Sequence, residues 1–250
     1  WRDWSSDVCS SDLIQQRCVR TLTVGLLRII RNPKISIFYE KLNFSGLWID
    51  MNEPASFTNG VPEIGCEDNK WNHPPYVPES LASDLLYQKT ICMDVEHKTV
   101  RTPGQTPGTT EKHYDMHSLY GWSEIKPTMD ACVAALGGQR CSVIGRSTYP
   151  GAGAQGAGHW LGDNRAEWNH LRQAVIGVQE FSLFGMSYSG TDICGFGGAS
   201  WKELCIRWTQ IGAFHPFSRN HNAIYEPRQD PAAWDQEAID AMNKVLLYRY

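Results

Sequence analysis

The chain alternates short apolar runs with polar segments, and several of these runs end abruptly at a charged residue. Short runs rich in β-favouring residues predict buried strands, whereas apolar residues recurring at a spacing of three or four predict helices. Catalytic groups in barrels of parallel strands lie where a strand passes into its loop, so the strand exits are the first candidates for functional positions. The predicted strands cover residues 47–49, 141–145 and 181–190, and the predicted helices cover 123–139, 165–180, 201–211 and 232–250.

Three segments lack such a pattern. Residues 1–13 resemble the translation of a sequencing-library adapter, so we set them aside as a non-native leader and give Cys9 no role. Residues 14–42 predict a weak helix that Asn32-Pro33 should interrupt. Residues 58–112 are rich in Gly, Pro, Asn and Asp, which predicts a long irregular loop of the kind that is usually functional beyond a barrel strand. The domain of interest is therefore expected within residues 14–250.

Composition narrows the class of protein. A chain of 250 residues suits one barrel-type domain, and a net charge of −4 with a pI of about 6.1 gives no indication of a nucleic-acid partner. No apolar run approaches the about 18 residues of a membrane span, and no signal peptide begins at Trp1. Membrane anchoring and targeting are thus expected only from segments outside this sequence. The eight cysteines include no Cys-x-x-Cys pair, which argues against a zinc site, and their number is compatible with an oxidising compartment.

The most informative stretch is Gly46–Phe57, in which an apolar strand meets Asp50 and then a polar turn containing Asn52, Glu53 and Pro54. Taken alone, a single Asp after a strand is most often part of an ordinary polar turn. The complete string is more specific, and three further motifs accompany it in the order expected of one family. These are Arg146-Ser147-Thr148, His159–Asn164 and Phe214–Asn222.

Together these motifs resemble the retaining α-glucosidases of glycoside hydrolase family 31, of the maltase-glucoamylase and sucrase-isomaltase type. The resemblance covers about residues 43–250. It implies an α/β fold, a (β/α)8 TIM barrel, of which this chain would hold the carboxyl-side part only. An incomplete barrel would leave strand edges exposed, so residues 1–250 alone are expected to be unstable or to aggregate.

The resemblance also implies roles for individual residues. A retaining glycosidase needs two carboxyl groups about 5–5.5 Å apart, and Asp50 is expected to be the nucleophile and Asp163 the general acid/base. Glu53 is a rival for either role, ranked below Asp50 as a supporting residue. No metal or organic cofactor is required. The positions implied to bind substrate are Trp48, Met51, Arg146, Trp160, Asp192, Phe196, Arg219 and His221.

Alternatives remain open at two motifs. His113 and His117 lie four apart, so a metal pair is conceivable, but no third ligand is evident and a structural role is the better interpretation. Gly151–Gly158 invites comparison with a phosphate loop, yet it lacks the Gly-Lys-Ser/Thr of that motif. The same segment departs from the family, which has Arg and an aromatic residue here. It precedes Asp163, so it is either a changed pocket rim or a fault in the sequence.

The expected activity is hydrolysis of terminal α-linked glucose from maltose-type oligosaccharides. The alternative is a catalytically inactive, carbohydrate-binding member of the same lineage, and an unrelated α/β protein is a distant third. The family pairs cysteines in the positions of Cys66 with Cys92 and of Cys194 with Cys205, and we carry these over as expected disulfides. The expected partner is a small α-glucosidic oligosaccharide, and the expected location is extracellular or on the luminal side of the secretory pathway.

Overall fold

The structure is a computed structural model that describes residues 33–79, 84–98 and 110–250. The adapter-like leader at 1–13 lies outside the described residues, as does most of the weak helix expected at 14–42. The chain divides into two compact units, one ending at Cys141 and one spanning Ser142–Tyr250, and each is described by itself.

The described part of the first unit begins with a helix, at the residue that was expected to interrupt one. Helix α1 spans Pro33–Lys41, with proline at its first position, where the missing N–H is not needed for an intrahelical bond. Strand β1 then covers Gly46–Ile49. The described part of the predicted irregular loop at 58–112 has no named helix or strand before residue 96, but its end forms two strands that the sequence did not predict. Strands β2 (Glu96–Lys98) and β3 (Thr110–Lys112) form an antiparallel pair, and α2 (His113–Met116) follows directly. A single 3-10 turn at His117–Leu119 leads into α3, Tyr120–Ala135.

Disulfides stabilise the first unit where regular structure is sparse. The expected bond between Cys66 and Cys92 is confirmed and closes the irregular segment. A second bond, between Cys132 in α3 and Cys141, was not predicted. It spans the end of α3, where Gly137 and Gly138 both take left-handed backbone conformations and stop the helix as expected.

The second unit alternates strands and helices. Strands β4 (Ser142–Gly145), β5 (Ala157–Trp160) and β6 (Ser189–Gly190) are parallel neighbours, with Val143 opposite Ala157 and Trp160 opposite Gly190. A 3-10 turn at Ala152–Gln155 precedes β5, and α4 (Trp168–Leu183) connects β5 to β6. Strands β7 (Asp192–Ile193) and β8 (Arg219–Asn220) pair in parallel around α5, Lys202–Gly212. A 3-10 turn at Pro231–Ala233 precedes the last helix, α6, at Gln236–Arg249. This order is that of an α/β barrel segment.

The prediction of a strand across residues 181–190 is wrong for most of its length. Helix α4 continues through Leu183 and ends at Gly185, whose positive φ of 83° is the usual left-handed helix stop. Leu183 and Phe184 are exposed rather than buried. Only Ser189–Gly190 forms a strand, so the apolar run was shared between a helix end and a very short strand.

The core of the second unit lies between α5, α6 and the 193–194 segment. Apolar residues of α5 recur at helical spacing, which places Leu204, Cys205 and Trp208 on one fully buried face. Met242 of α6 packs into the same cluster. The side chain of Asp235 caps α6 by accepting a hydrogen bond from the Ala238 N–H at 3.1 Å.

The far end of α6 also has a defined contact. The Arg249 guanidinium donates to the carbonyl oxygens of Ala213, His215 and Pro216 at 2.7, 2.6 and 3.1 Å. These carbonyls lie at or just beyond the end of α5, where helix carbonyls lack intrahelical donors and carry partial negative charge. The last helix therefore holds the segment that leads from α5 into β8.

Disulfide loop length gives a testable order of stability losses. Replacing both cysteines of the Cys66–Cys92 pair by alanine opens a loop with a sequence separation of 26, and the same change at Cys132–Cys141 opens one of 9. Chain entropy alone predicts losses of about 3.5 and about 2.5 kcal/mol in the free energy of unfolding, respectively. Chemical denaturation of the two double variants checks this, and the reverse order would contradict the loop-entropy argument.

Candidate active site

The loop after β1, residues 50–57, is called the signature loop, and it presents Asp50 on a constrained backbone. Asp50 is exposed directly beyond Ile49, and its Oδ1 accepts a hydrogen bond from the Met51 N–H at 2.9 Å. Met51 has a φ of 54°, a left-handed conformation that is uncommon for a non-glycine residue. Such backbone strain is found most often at functional sites, where the surrounding structure holds it in place. The loop thus fixes the direction in which this carboxylate leaves the strand.

The remainder of the loop is tied to two other elements. Asn52 is only 5% exposed, and its side chain hydrogen-bonds to Glu124 of α3. The peptide bond between Glu53 and Pro54 is cis, and the Pro54 carbonyl accepts a hydrogen bond from the Thr90 hydroxyl. The predicted residues Asp50, Met51 and Glu53 are therefore held by one short loop, and Trp48 lies on the preceding strand with 37% of its surface exposed.

A chain of three imidazoles lies beside this loop. His97 Nε2 is 2.9 Å from His113 Nδ1, and His113 Nε2 is 2.8 Å from His117 Nδ1. His113 is fully buried and has both ring nitrogens engaged by the other two histidines. Within the described residues, no group of three or more His, Cys, Asp or Glu side chains is placed to hold a metal ion. The sequence showed the pair at 113 and 117 but gave no sign of His97.

Burial lowers the pKa of these three histidines. Burial, together with the smaller effects of the neighbouring His117 and His97, lowers the pKa of His113 to about 3. Burial also lowers the pKa of His97 and of His117, while the carboxylate of Glu53 opposes the change at His117. At neutral pH the cluster is therefore a set of neutral rings, and the carboxylate of Glu53 acts on the His117 ring at its end.

In the second unit, two predicted residues lie at strand exits as expected. Arg146 follows β4 directly and is half-buried. Asp163 lies three residues after β5 and is exposed, beyond Gly162, whose φ of 89° turns the chain at this point. The altered segment at 151–158 does not disturb this arrangement, because β5 forms in register with both β4 and β6.

Three other predicted residues meet in one buried contact. The carboxylate of Asp192 is fully buried, and its Oδ1 accepts from the Trp160 indole N–H at 2.9 Å and from the Arg219 guanidinium at 2.6 Å. The same guanidinium lies 5.2 Å from the Trp160 ring centroid, a cation–π contact. Burial raises the pKa of Asp192 to about 6 in spite of the Arg219 charge. The polar edge of Trp160, a residue expected to bind substrate, is thus directed to Asp192.

Asn164, which the sequence reasoning missed, connects the Asp163 segment to the segment after β7. Its Nδ2 donates to the Asp192 carbonyl at 2.9 Å, and its Oδ1 accepts from the Phe196 N–H at 2.9 Å. The two segments approach closely at Gly195, where a Cβ would lie 2.4 Å from the Ala166 nitrogen. No spacing rule could have shown a contact across 32 residues, although Asn164 does stand next to a predicted catalytic residue.

Gln229, which the sequence reasoning also missed, hydrogen-bonds to the ends of β7 and β8 and to the residues after them. Its Nε2 lies within 2.9–3.3 Å of four oxygens, those of the Ile193, Gly195 and His221 carbonyls and of the Asn220 side chain. Near it, the rings of Phe196 and His221 stack with centroids 5.3 Å apart. The predicted pair Phe196 and His221 is thus brought together, on a backbone that one buried amide holds. The expected disulfide between Cys194 and Cys205 is confirmed in this region.

Comparisons with known proteins agree with the sequence motifs. Residues 30–250 match the family model described as the glycosyl hydrolases family 31 TIM-barrel domain. The chain is 49% identical to intestinal sucrase-isomaltase of Homo sapiens over 217 residues, which cover 86% of this chain and 11% of that protein. It is 41% identical to lysosomal alpha-glucosidase of Mus musculus over 216 residues, which cover 86% of this chain and 21% of that protein. This chain thus spans only a small part of the length of these relatives.

Solved structures give the same fold. A glucosidase II alpha subunit in its alpha3-Glc2-bound form matches with a TM-score of 0.60 and 25% identity, covering 82% of this chain and 18% of that one. A family 31 alpha-glucosidase from Bacteroides thetaiotaomicron matches with a TM-score of 0.57 and 24% identity, covering 88% of this chain and 30% of that one. The barrel fold and the family resemblance expected from the sequence are therefore confirmed.

The imidazole chain predicts a pH dependence of stability. Since the pKa of His113 falls from 6.5 unfolded to about 3 folded, the unfolded state binds more protons between these values, and lowering the pH through this window must destabilise the fold. In His113→Gln this titration is absent. The difference in unfolding free energy between wild type and variant should shrink by up to about 1.4 kcal/mol for each unit by which the pH is lowered within this window. Urea unfolding from pH 7 to 4 measures it, and a difference that stays constant contradicts the argument.

The buried ion pair predicts a stability loss with a matched control. Asp192→Asn keeps an acceptor for Trp160 but leaves Arg219 without its anionic partner. Because the Arg219 side chain keeps 28% exposure, we expect a loss of about 2–3 kcal/mol, below the about 3–5 kcal/mol typical of fully buried pairs. Asp230→Asn removes the exposed pair with Arg228 and should change stability by less than about 1 kcal/mol. Equal losses in the two variants would show that burial of the first pair is irrelevant.

Proposed function

Because this chain belongs to glycosyl hydrolase family 31, we propose that it carries the catalytic carboxyl groups of a retaining α-glucosidase. The proposed substrate is a maltose-type oligosaccharide, from which the enzyme removes the terminal α-linked glucose. The observation that carries the proposal is Asp50, exposed at the end of β1 on a strained loop of the family signature. Its relatives are named as sucrase-isomaltase and alpha-glucosidase.

In the proposed mechanism Asp50 attacks the anomeric carbon while Asp163 protonates the departing glycosidic oxygen. Water activated by Asp163 then hydrolyses the glucosyl-enzyme ester from the same face as the leaving group, so two inversions give net retention. This requires the two carboxyl groups to approach to about 5–5.5 Å. Glu53 remains ranked below Asp50 because its charge acts on the neighbouring imidazole of His117, which suits a supporting role.

The other predicted residues are proposed to bind the sugar. Arg146 offers a planar fork of donors at the exit of β4, a geometry suited to hydroxyl pairs or to a carboxylate. Phe196 and His221 present a stacked pair of rings, and Trp48 keeps part of its ring exposed, so both can lie against the apolar face of a glucose ring. Asp192 acts through its contacts, since its Oδ1 holds Trp160 and Arg219.

The disulfides support a proposed location outside the reducing cytosol. Three disulfide bonds are formed among the described residues, and structural disulfides persist in oxidising compartments. In the part of the chain that the structure describes, every helix is too short or too polar to cross a bilayer. We therefore propose a luminal or extracellular enzyme, with any membrane attachment supplied from elsewhere.

Covalent labelling tests the nucleophile. A fluorinated glucosyl inhibitor that reacts as a substrate should form a stable ester with Asp50, identified by peptide mass spectrometry of the intact protein. Asp50→Asn should abolish both labelling and hydrolysis, whereas Asp68→Asn, at an exposed aspartate of the same irregular segment, should change neither. Label on another carboxyl group would overturn the assignment. Sugar affinity without any hydrolysis in the wild type would favour the inactive, carbohydrate-binding alternative.

The acid/base is tested by the leaving group. Asp163→Ala removes the proton donor, so hydrolysis of maltose should fall by about 10²–10⁴-fold. An aryl glucoside whose phenolate leaves without protonation should lose far less in the first step, and its second step should be rescued by added azide. Equal losses on both substrates would show that Asp163 is not the acid.

A further inference from the structure

The imidazole chain formed by His97, His113 and His117 has no part in the proposed mechanism, yet it ends beside the signature loop. Each link joins two ring nitrogens, at 2.9 and 2.8 Å. A neutral imidazole has one N–H and one lone pair, so a chain of three can be arranged in only two ways. Either every proton points from His97 towards His117, or every proton points in the opposite direction.

The His97 end of the row of imidazoles shows in which direction the protons point. His97 Nδ1 is buried and has no hydrogen-bond partner among the described residues. If the protons pointed towards His97, this nitrogen would carry a buried N–H without an acceptor, a state that is rare in folded proteins. If they point towards His117, Nδ1 holds only an unused lone pair. The orphaned nitrogen therefore places the proton of His97 on Nε2, donating to His113.

The His117 end of the row of imidazoles is consistent with the same direction of the protons, from His97 towards His117. His117 uses Nδ1 for His113, which leaves Nε2 as the nitrogen available to other groups. The carboxylate of Glu53 acts on this ring, since its charge raises the pKa of His117 against the effect of burial. A negative charge is stabilised by an N–H and repelled by a lone pair. The direction set at His97 places the proton of His117 on Nε2, and the charge of Glu53 agrees with this placement.

We infer that His97, His113 and His117 form a one-way relay of neutral imidazoles that places the proton of His117 on Nε2, where it interacts electrostatically with the Glu53 carboxylate, and thereby positions the signature loop. The inference rests on the proposed function, because the loop matters to catalysis through Asp50. The three histidines come from β2, α2 and the 3-10 turn after it, so the relay connects the irregular segment to the loop. They are positioning residues and do not touch the sugar.

The surroundings keep the relay neutral. The Tyr120 ring lies 5.5 Å from His97 and 6.0 Å from His113 between centroids, and burial together with Glu124 raises the pKa of this phenol. Burial also raises the pKa of Glu124, which is bound by Asn52. Protonation of His117 would place a hydrogen on Nδ1 and force both links to reverse. The relay therefore resists protonation as a unit and does not act as an acid.

The tautomers can be measured without any assay of activity. In the intact protein labelled with ¹⁵N-histidine, solid-state NMR separates protonated from unprotonated ring nitrogens, and His97→Gln and His117→Gln identify their own signals by loss. We expect both residues to be neutral with the proton on Nε2 at pH 7. A proton on Nδ1 of either residue, or a cation, overturns the relay even if the protein is an active glucosidase. A wild type without glucosidase activity contradicts the proposed function while these spectra still decide the relay.

Kinetics test what the relay does. His97→Met keeps the volume but removes the donor, and it should lower kcat by about tenfold or more through misplacement of the loop, with KM little changed. His97→Gln places an amide N–H near the position of Nε2 and should recover most of the lost rate. In a Glu53→Gln background the His97→Met change should have little further effect, because the relay acts through that carboxylate. Equal losses in both backgrounds would show that His97 only supports folding.

Discussion

The buried carboxylate of Asp192 is the constraint on which the second unit depends. A fully buried anion is unfavourable unless charge and hydrogen bonds compensate it, and here one oxygen receives both an indole N–H and a guanidinium. This requirement fixes the rotamer of Trp160 at the end of β5 and that of Arg219 in β8. Residues from three strands are therefore oriented by a single group, and the strands need not be long to place them.

Side-chain amides position backbone segments of the second unit in a similar way. Asn164 and Gln229 are neutral side chains that reach carbonyl or N–H groups of segments far from them in sequence. Strands β6, β7 and β8 have only two residues each, so few ladder hydrogen bonds are available to position the segments that follow them. The side-chain amides take over that role. In the first unit, the strained Met51 backbone and the Asn52–Glu124 contact do the same for the signature loop.

How much the sequence could predict depends on the range of the interaction. Asp50, Arg146 and Asp163 were found because an apolar run next to a polar exit is a local signal, and their identity as a set came from the family resemblance. In the apolar run at 181–190, periodicity alone could not tell a helix end from a strand. His97, Gln229 and the Cys132–Cys141 bond depend on tertiary contacts, for which one sequence carries no pattern. Asn164 could have been proposed from its neighbour, but its partners could not.

The disulfide between Cys194 and Cys205 has a consequence for how the protein is made. Cys194 follows Asp192 by two residues, has a φ of 78°, and is joined to the buried face of α5. The segment bearing Asp192 and Phe196 is therefore anchored to the core by a covalent bond that only an oxidant can form. Formation of this segment therefore depends on oxidation of the polypeptide as well as on its sequence. A bacterial cytosol is consequently a poor host for producing this protein, and a secretory host is the appropriate choice.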